Sequence, residues 1–151
     1  MTQEQKDLLL KDLCARLPYG VIVNVKGFDY DYNSKLTQIY NGLGCSIQVT
    51  TNMPYDIEQV KPYLFPLSSM TEEQKEEYYS LADDVTIKPG QGSYFGIKIH
   101  CIKLGISDNP HEGVWDDVDL DAIDWLNKNH FDYRGLIDKE LAIDATGLNI
   151  Y

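Results

Sequence analysis

The hydrophobic periodicity of the chain changes near residue 20, and this change constrains the fold more than any other feature. Between residues 9 and 17, apolar side chains recur every three or four positions, the spacing of one helix face. This stripe consists of Leu9, Leu10, Leu13, Cys14 and Leu17. From residue 21 the period becomes two, with Val21, Val23 and Val25 on one face, as in a strand. The sequence LPYG at 17–20 separates the two patterns, because proline restricts the residue before it and glycine permits a turn.

Further alternating segments predict a small antiparallel sheet. Residues 36–40 and 45–51 alternate, and Asn41-Gly42 between them is a strong tight-turn dipeptide. Residues 27–35 are rich in Asp, Asn, Ser and Gly and predict a turn. Short strands joined by tight turns are typical of a meander, which can curl into an SH3-like, partly open barrel.

Local patterns assign the segments between this sheet and the middle of the chain. Residues 56–60 fit a helical turn and a short strand equally well. The proline-punctuated residues 61–67 predict an extended connector held against the core. The sequence TEEQ at 71–74 is a capping box like TQEQ at 2–5, so a middle helix is predicted to run to about Ala82.

The C-terminal half is predicted to contain one long strand and a helical segment. Residues 89–92 predict a turn, and residues 94–104 alternate as in a strand. Residues 121–130 predict a helix capped by Asp119 or Asp121, and a turn or short helix follows Gly135. The tail from residue 146 is predicted to be loosely held. Residues 1–151 are therefore predicted to be one α+β domain.

The charge of the chain limits its partners. The formal net charge is −11, and residues 103–151 hold eleven acidic and only four basic side chains. Such a field disfavours direct nucleic-acid binding, which depends on Lys and Arg releasing counterions from phosphates. An acidic protein can instead compete for a basic groove on another protein. The sequence thus predicts a protein partner of unspecified identity, and the oligomeric state stays open.

The cysteines and the apolar segments predict a cytoplasmic protein. Cys14, Cys45 and Cys101 are odd in number and far apart, which is typical of reduced thiols, and each is predicted to be a small buried side chain. The longest uninterrupted apolar runs span three residues, far fewer than a membrane-spanning helix needs.

Motifs for a metal, a cofactor or catalysis are incomplete. The DxDxD pattern from Asp117 to Asp121 has Ala122 and Lys128 where a calcium loop needs glycine and glutamate. Acidic residues at a helix start explain this pattern better. His100 and Cys101 are neighbours on a predicted strand and therefore point to opposite faces. No cofactor, metal or catalytic residue is predicted.

Aromatic, acidic and arginine side chains near the middle helix and the C-terminus form a candidate interaction surface. These residue types anchor interfaces, although they also close cores, and the core interpretation is slightly favoured. Two adjacent tyrosines on a helix cannot both face the core centre, so one of Tyr78 and Tyr79 should be partly exposed. The candidate surface consists of Tyr78, Tyr79, Trp115, Asp116, Asp117, Asp119, Tyr133 and Arg134.

Three strings of the sequence resemble a known family. They are LLKDLCARLPYG at 9–20, DIEQVKPYLFPLSSMTEEQ at 56–74 and DWLNKNHFDYRGLIDKELA at 124–142. They resemble small uncharacterised proteins of gut Bacteroides-type bacteria and of their phages and mobile elements. The family often has glycine where this chain has Glu140. The resemblance implies a bacterial or phage setting and an accessory or host-directed role, and it brings no activity, cofactor or site residue.

Three functions follow as hypotheses. The first is a protein-binding accessory module that acts on a host protein. The second is a small metal-dependent enzyme that uses the carboxylates from Asp116 to Asp121 together with His111. The third is a nucleic-acid-associated barrel, for which Lys26, Lys35 and Lys61 would have to supply a basic face. An enzyme is less favoured than a binding module.

Overall fold

The computed structural model describes residues 1–27, 29–41, 45–50, 53–81 and 120–151. Within them, the helices are α1 (Gln3–Arg16), α2 (Glu72–Leu81) and α3 (Leu120–Lys128). The strands are β1 (Ile22–Lys26), β2 (Asp31–Asn41), β3 (Cys45–Val49), β4 (Pro54–Asp56), β5 (Val60–Leu64) and β6 (Ile143–Asp144). The α+β prediction is confirmed. The predicted turn at 89–92 and strand at 94–104 lie outside the described residues.

Both predicted capping boxes are present. The backbone amide of Gln5 donates to Thr2 Oγ1 over 3.2 Å, and the amide of Thr2 donates to Gln5 Oε1 over 2.9 Å. Thr71 and Gln74 make the same reciprocal pair at the start of α2. Each box satisfies two amides that the first helical turn leaves without partners.

The sheet has the order β4-β3-β2-β1-β5-β6 and is open, not a closed barrel. β2 is its central bent strand, because residues 31–35 pair with β1 and the residues from Leu36 onward pair with β3. A register shift between Leu36 and Gln38 separates the two halves, and a bulge of this kind bends a strand. The prediction of a turn over residues 27–35 was therefore wrong for residues 31–35.

The proline-rich segment after residue 60 is an internal strand, which corrects the prediction of a connector there. β5 pairs antiparallel with β1, with Pro62 opposite Val23, and parallel with β6. The Leu64 carbonyl accepts a hydrogen bond from the Ala145 amide, so the backbone groups of Leu64 point toward β6. Successive residues of a strand point their backbone groups to opposite neighbours, so Pro62, two residues earlier, also points toward β6. Because β6 pairs only with Tyr63 and Leu64, the missing N–H of Pro62 removes no ladder hydrogen bond.

Two apolar clusters form the core. One lies between α1 and the sheet and contains Leu9, Leu13, Val23, Val25 and Ile47. The other lies between α2, α3 and the residues after α3, and it includes Tyr78, Trp125, Phe131 and Tyr133. On α1 the buried positions are Leu9, Asp12, Leu13 and Arg16, whereas Cys14 is exposed. The prediction that Cys14 is buried was wrong, because an ion pair takes that part of the inward face.

The C-terminal tail is anchored, contrary to the prediction that it is loosely held. The hydroxyl of Tyr151 donates to the Tyr63 carbonyl over 2.8 Å and accepts from the Ile22 amide over 3.2 Å. Val23 and Pro62 form the last pair of the β1–β5 ladder at this end, so Ile22 and Tyr63 would be the next pair. The phenol bridges this position and ties the tail to the middle of the sheet.

Candidate functional site

The residues of the candidate surface predicted from the sequence do not form one exposed patch in the described part of the chain. Tyr78 and Tyr133 are 0% and 2% exposed and belong to the core. The Tyr78 ring lies 5.8 Å from that of Trp125. Arg134 is half-buried beside Tyr133. Trp115, Asp116, Asp117, Asp119 and His111 lie outside the described residues, as does the side chain of Tyr79.

A buried charge network joins α1 to the residues after α3. Arg16 donates from Nε to Asp12 Oδ2 over 2.7 Å, and both side chains are fully buried. Its Nη2 also donates to the carbonyl of Phe131 over 2.7 Å. Arg134 contributes a third charge, with its Nε 3.2 Å from Asp12 Oδ1. One carboxylate thus meets two guanidinium groups, an arrangement that is stable only when the remaining N–H groups find acceptors.

Tyr133 lies between the two arginines of this network. The guanidinium carbons of Arg16 and Arg134 are 5.5 Å and 4.6 Å from its ring centroid, within cation–π range. Its hydroxyl donates to Asn127 Oδ1 over 3.0 Å, and burial raises the pKa of this phenol. The charged and polar groups of this network are hydrogen-bonded to one another, so the network holds the residues after α3 against α1.

His130 is a strongly perturbed base next to this network. Its imidazole is buried, and within the described residues its Nδ1 has no hydrogen-bond partner. Burial, with the nearby Arg16 charge, lowers the pKa of His130 to about 4, and burial raises the pKa of Tyr151 to about 12. The pair is therefore neutral at pH 7. An imidazole with so low a pKa is a poor general base at that pH.

A shallow cleft of about 440 Å³ opens beside His130. Its lining combines the rings of Phe65, Phe131 and Tyr151 with the polar side chains of Ser69, Gln74 and Lys128. In the part of the chain described, no three His, Cys, Asp or Glu side chains are gathered where they could hold a metal ion. The cleft therefore presents no assembled nucleophile, base or metal site in that part.

A second candidate lies where β2 begins, and we call it the tyrosine surface: Tyr30, Tyr32 and Tyr55, together with Met53, which precedes Tyr55 by two residues. The rings of Tyr30 and Tyr55 each meet that of Tyr32 edge-on, with centroids 6.3 Å apart. The hydroxyls of Tyr32 and Tyr55 lie 2.6 Å apart. Tyr30 and Met53 are 74% and 56% exposed, whereas Tyr32 and Tyr55 are half-buried. Tyr32 and Tyr55 lie close together on the face of the sheet that carries α1, because β2 bends between its two halves.

Local structure fixes the position of Tyr30. A Cβ on Gly27 would lie 2.4 Å from the Tyr30 carbonyl oxygen, so the turn closes only because residue 27 has no side chain. The exposed carboxylates of Asp29, Asp31 and Asp56 flank the tyrosines in the chain, and no ion pair within the described residues neutralises them. Because neighbouring strand residues point to opposite faces, these carboxylates surround the aromatic rings with negative charge without lying on the same face as the rings.

Sequence reasoning missed this surface, although a signal was present. Residues 29–32 read DYDY, an alternation that sends tyrosines to one side of a strand and aspartates to the other. The aspartates were interpreted as turn residues. The buried pair of Asp12 and Arg16 had a signal too, because the two are four positions apart on the side of α1 that carries Leu9 and Leu13.

No protein-family model, curated protein or solved structure matches the chain. None of the helices in the described part combines the length and the apolar character needed to cross a membrane.

Proposed function

We propose that this chain is a protein-binding module that contacts its partner through the tyrosine surface. One observation carries the proposal: Tyr30 is 74% exposed although its ring rests against that of Tyr32, immediately before β2 begins. Tyrosine supplies a large contact area with little loss of side-chain entropy, and it is enriched at interface hot spots. Met53 adds a side chain that adapts to the shape of a partner.

The partner surface that fits best is basic and carries arginine. A guanidinium group can stack on the open face of Tyr30, and other basic side chains of the partner can pair with Asp29 and Asp56, which lie around the edge of the tyrosine surface. The net charge of −11 favours the same partner, because long-range attraction speeds its approach. This is the chemistry of a basic groove on another protein, which the charge of the sequence predicts.

The biological setting of the proposal rests on the sequence. The resemblance to proteins of Bacteroides-type bacteria and their phages favours an accessory protein that acts on a host protein. A reducing cytoplasm is the compartment that the cysteine pattern favours. The proposed activity needs no cofactor.

Matched baits test the proposal. Immobilised wild-type protein and the variants Tyr30→Ser and Leu148→Ser are incubated with nuclease-treated bacterial lysate, and the captured proteins are quantified by mass spectrometry. Leu148 is a suitable control because its side chain is 49% exposed and lies in the C-terminal tail. We expect one set of basic proteins to be retained by the wild type and by Leu148→Ser, and lost with Tyr30→Ser. Equal capture by all three baits would contradict the proposal.

A defined ligand tests the chemistry directly. A nine-residue peptide of alternating Gly and Arg is titrated against the protein, with Gly-Ser and Gly-Glu peptides of equal length as controls. We expect the arginine peptide to shift the NMR signals of Tyr30 and Tyr32. The double substitution Asp29→Asn and Asp56→Asn should weaken its binding about tenfold, since each exposed charge pair contributes up to ~1 kcal/mol. Asparagine also caps helical turns, so the turn that follows Asp56 should keep its structure.

A further inference from the structure

The outer face of the sheet, opposite α1, gathers three lysines. Val23 and Val25 of β1 point into the core, so Asn24 and Lys26 point outward. In the register, Asn24 lies opposite Lys61 of β5, and Ile22 lies opposite Lys35 of β2. Lys26, Lys35 and Lys61, which the sequence spreads over 36 positions, therefore share one face, which we call the lysine face.

Strand geometry sets the spacing of these lysines. Lys26 and Lys61 are diagonal neighbours on adjacent strands, about 7–8 Å apart at Cα. Lys35 lies two strands from Lys61, roughly 10 Å across the sheet and further along it. Its side chain crosses Gly20, where a Cβ would lie 2.6 Å from Lys35 Cε. These spacings let the three lysines reach phosphates of one extended strand, with at least one phosphate between those that Lys35 and Lys61 contact.

Two oriented amides lie between the lysines. Asn33 Oδ1 accepts from Asn24 Nδ2 over 3.1 Å and from the Tyr63 hydroxyl over 2.9 Å. Both acceptor positions of this oxygen are used, which fixes the amide plane of Asn33. Within the described residues, Asn33 Nδ2 and Asn24 Oδ1 have no partner. A donor and an acceptor thus stand side by side on the face, as the edge of a nucleobase requires.

The local charge at the lysine face differs from the net charge of the chain, which is −11. No ion pair within the described residues neutralises the three lysines, and Asp31, opposite Lys26, is the carboxylate nearest to them in the register. At physiological ionic strength the Debye length is about 8 Å. The exposed acidic side chains of α1 lie on the other side of the sheet, so their effect on a ligand at the lysine face is weakened by screening.

We propose that the lysine face binds single-stranded nucleic acid, with lysines on its phosphates and the Asn24–Asn33 pair on a base edge. This function is separate from the proposed protein contact, which uses the other side of the sheet. Single strands fit better than duplexes because their base edges are open. An acidic peptide would use the lysines and leave the oriented amides without a specific role.

Salt dependence and lysine substitutions test this inference. Binding of a fluorescein-labelled twelve-residue oligothymidine and oligouridine is followed by anisotropy between 50 and 200 mM NaCl. Three phosphate contacts predict a slope of about −2 in log K against log salt, a loss of about twentyfold over this range. Lys35→Gln and Lys61→Gln should each flatten the slope by about 0.7. Lys11→Gln, an exposed position on α1, should leave it unchanged.

Three outcomes would overturn the inference. They are no binding by the wild type at 50 mM NaCl, equal losses for Lys11→Gln and Lys61→Gln, and equal competition by a poly-glutamate peptide of the same charge. The last result would assign the face to an acidic protein. Asn33→Ala, checked for an unchanged melting temperature, should weaken binding of the oligonucleotides and not of inorganic polyphosphate. Tyr30→Ser should bind the oligonucleotides normally, so failure here and failure of the protein-binding proposal are distinguishable.

Discussion

The ring of Tyr151 stacks on the imidazole of His130, with centroids 4.1 Å apart and planes inclined by 13°. The Tyr151 ring thus covers the buried imidazole of His130, and the Tyr151 hydroxyl bridges β1 and β5. The end of the chain, the turn after α3 and the middle of the sheet therefore meet at one point. Changes at either ring should be felt in the stability of the whole domain.

His130 should make the protein less stable in mild acid. Its pKa is about 4 in the folded state against 6.5 ordinarily, so between these values the unfolded chain takes up a proton that the native state refuses. The free energy of unfolding therefore decreases as the pH falls below 6.5, and His130 accounts for a loss of roughly 2 kcal/mol at pH 5. Above pH 6.5 this group contributes no pH dependence. Urea unfolding at pH 7 and pH 5 measures the loss.

The control for this prediction is His130→Asn. Residue 130 has φ 58°, a conformation that asparagine tolerates better than most residues. The variant should be less stable at pH 7, because the stack with Tyr151 is lost. Its further loss between pH 7 and pH 5 should be smaller than that of the wild type by about 2 kcal/mol. Equal losses in both proteins would show that another group causes the acid sensitivity.

Removing the Tyr151 hydroxyl should release the tail without disturbing the core. Tyr151→Phe leaves the Ile22 amide and the Tyr63 carbonyl without the bridge, which should cost about 1–3 kcal/mol. Hydrogen exchange at the Ile22 amide should accelerate by at least tenfold, while the amides inside the β1–β2 ladder keep their protection. Tyr30→Phe removes an exposed hydroxyl and should change stability by less than about 0.5 kcal/mol.

Local signals in the sequence predicted the elements that local chemistry determines. TQEQ and TEEQ act within one helical turn, and both helices begin where these boxes predict. The alternation of Val21, Val23 and Val25 likewise predicted the inward face of β1. In each case the groups that interact lie within a few residues of one another.

Errors arose where distant partners decide the outcome. Pro62 discourages a strand by itself, yet it is accepted because β6 leaves its nitrogen unpaired, and β6 begins 81 residues further along the chain. The inward position of Arg16 depends on the Phe131 carbonyl, and the order of the tail depends on Ile22 and Tyr63. Hydrophobic periodicity carries no information about such contacts.

The buried pair of Asp12 and Arg16 should show strong energetic coupling. Asp12→Ala leaves Arg16 as a buried charge without its carboxylate, and Arg16→Met leaves Asp12 with only Arg134, so each should cost about 3–5 kcal/mol. The double variant should cost less than the sum by at least 1 kcal/mol, because only the half-buried Arg134 is then left without a carboxylate. Urea unfolding of the four proteins measures the coupling, and additive costs would contradict it.

Gly27 should connect the stability of the fold to the tyrosine surface. Gly27→Ala places a Cβ 2.4 Å from the Tyr30 carbonyl oxygen, a backbone atom, so the turn must open and Tyr30 must move. We expect a loss of about 1–3 kcal/mol, altered NMR signals for Tyr30 and Tyr32, and weaker binding of the arginine peptide. Gly147→Ala is the matched control: at φ 74° it is strained by about 1–2 kcal/mol, yet its Cβ meets no atom within 4 Å. Because Gly147 lies in the C-terminal tail, Gly147→Ala should lower the stability and leave the affinity for the arginine peptide unchanged. Weaker binding by both variants would mean that general destabilisation controls the contact, and not the position of Tyr30.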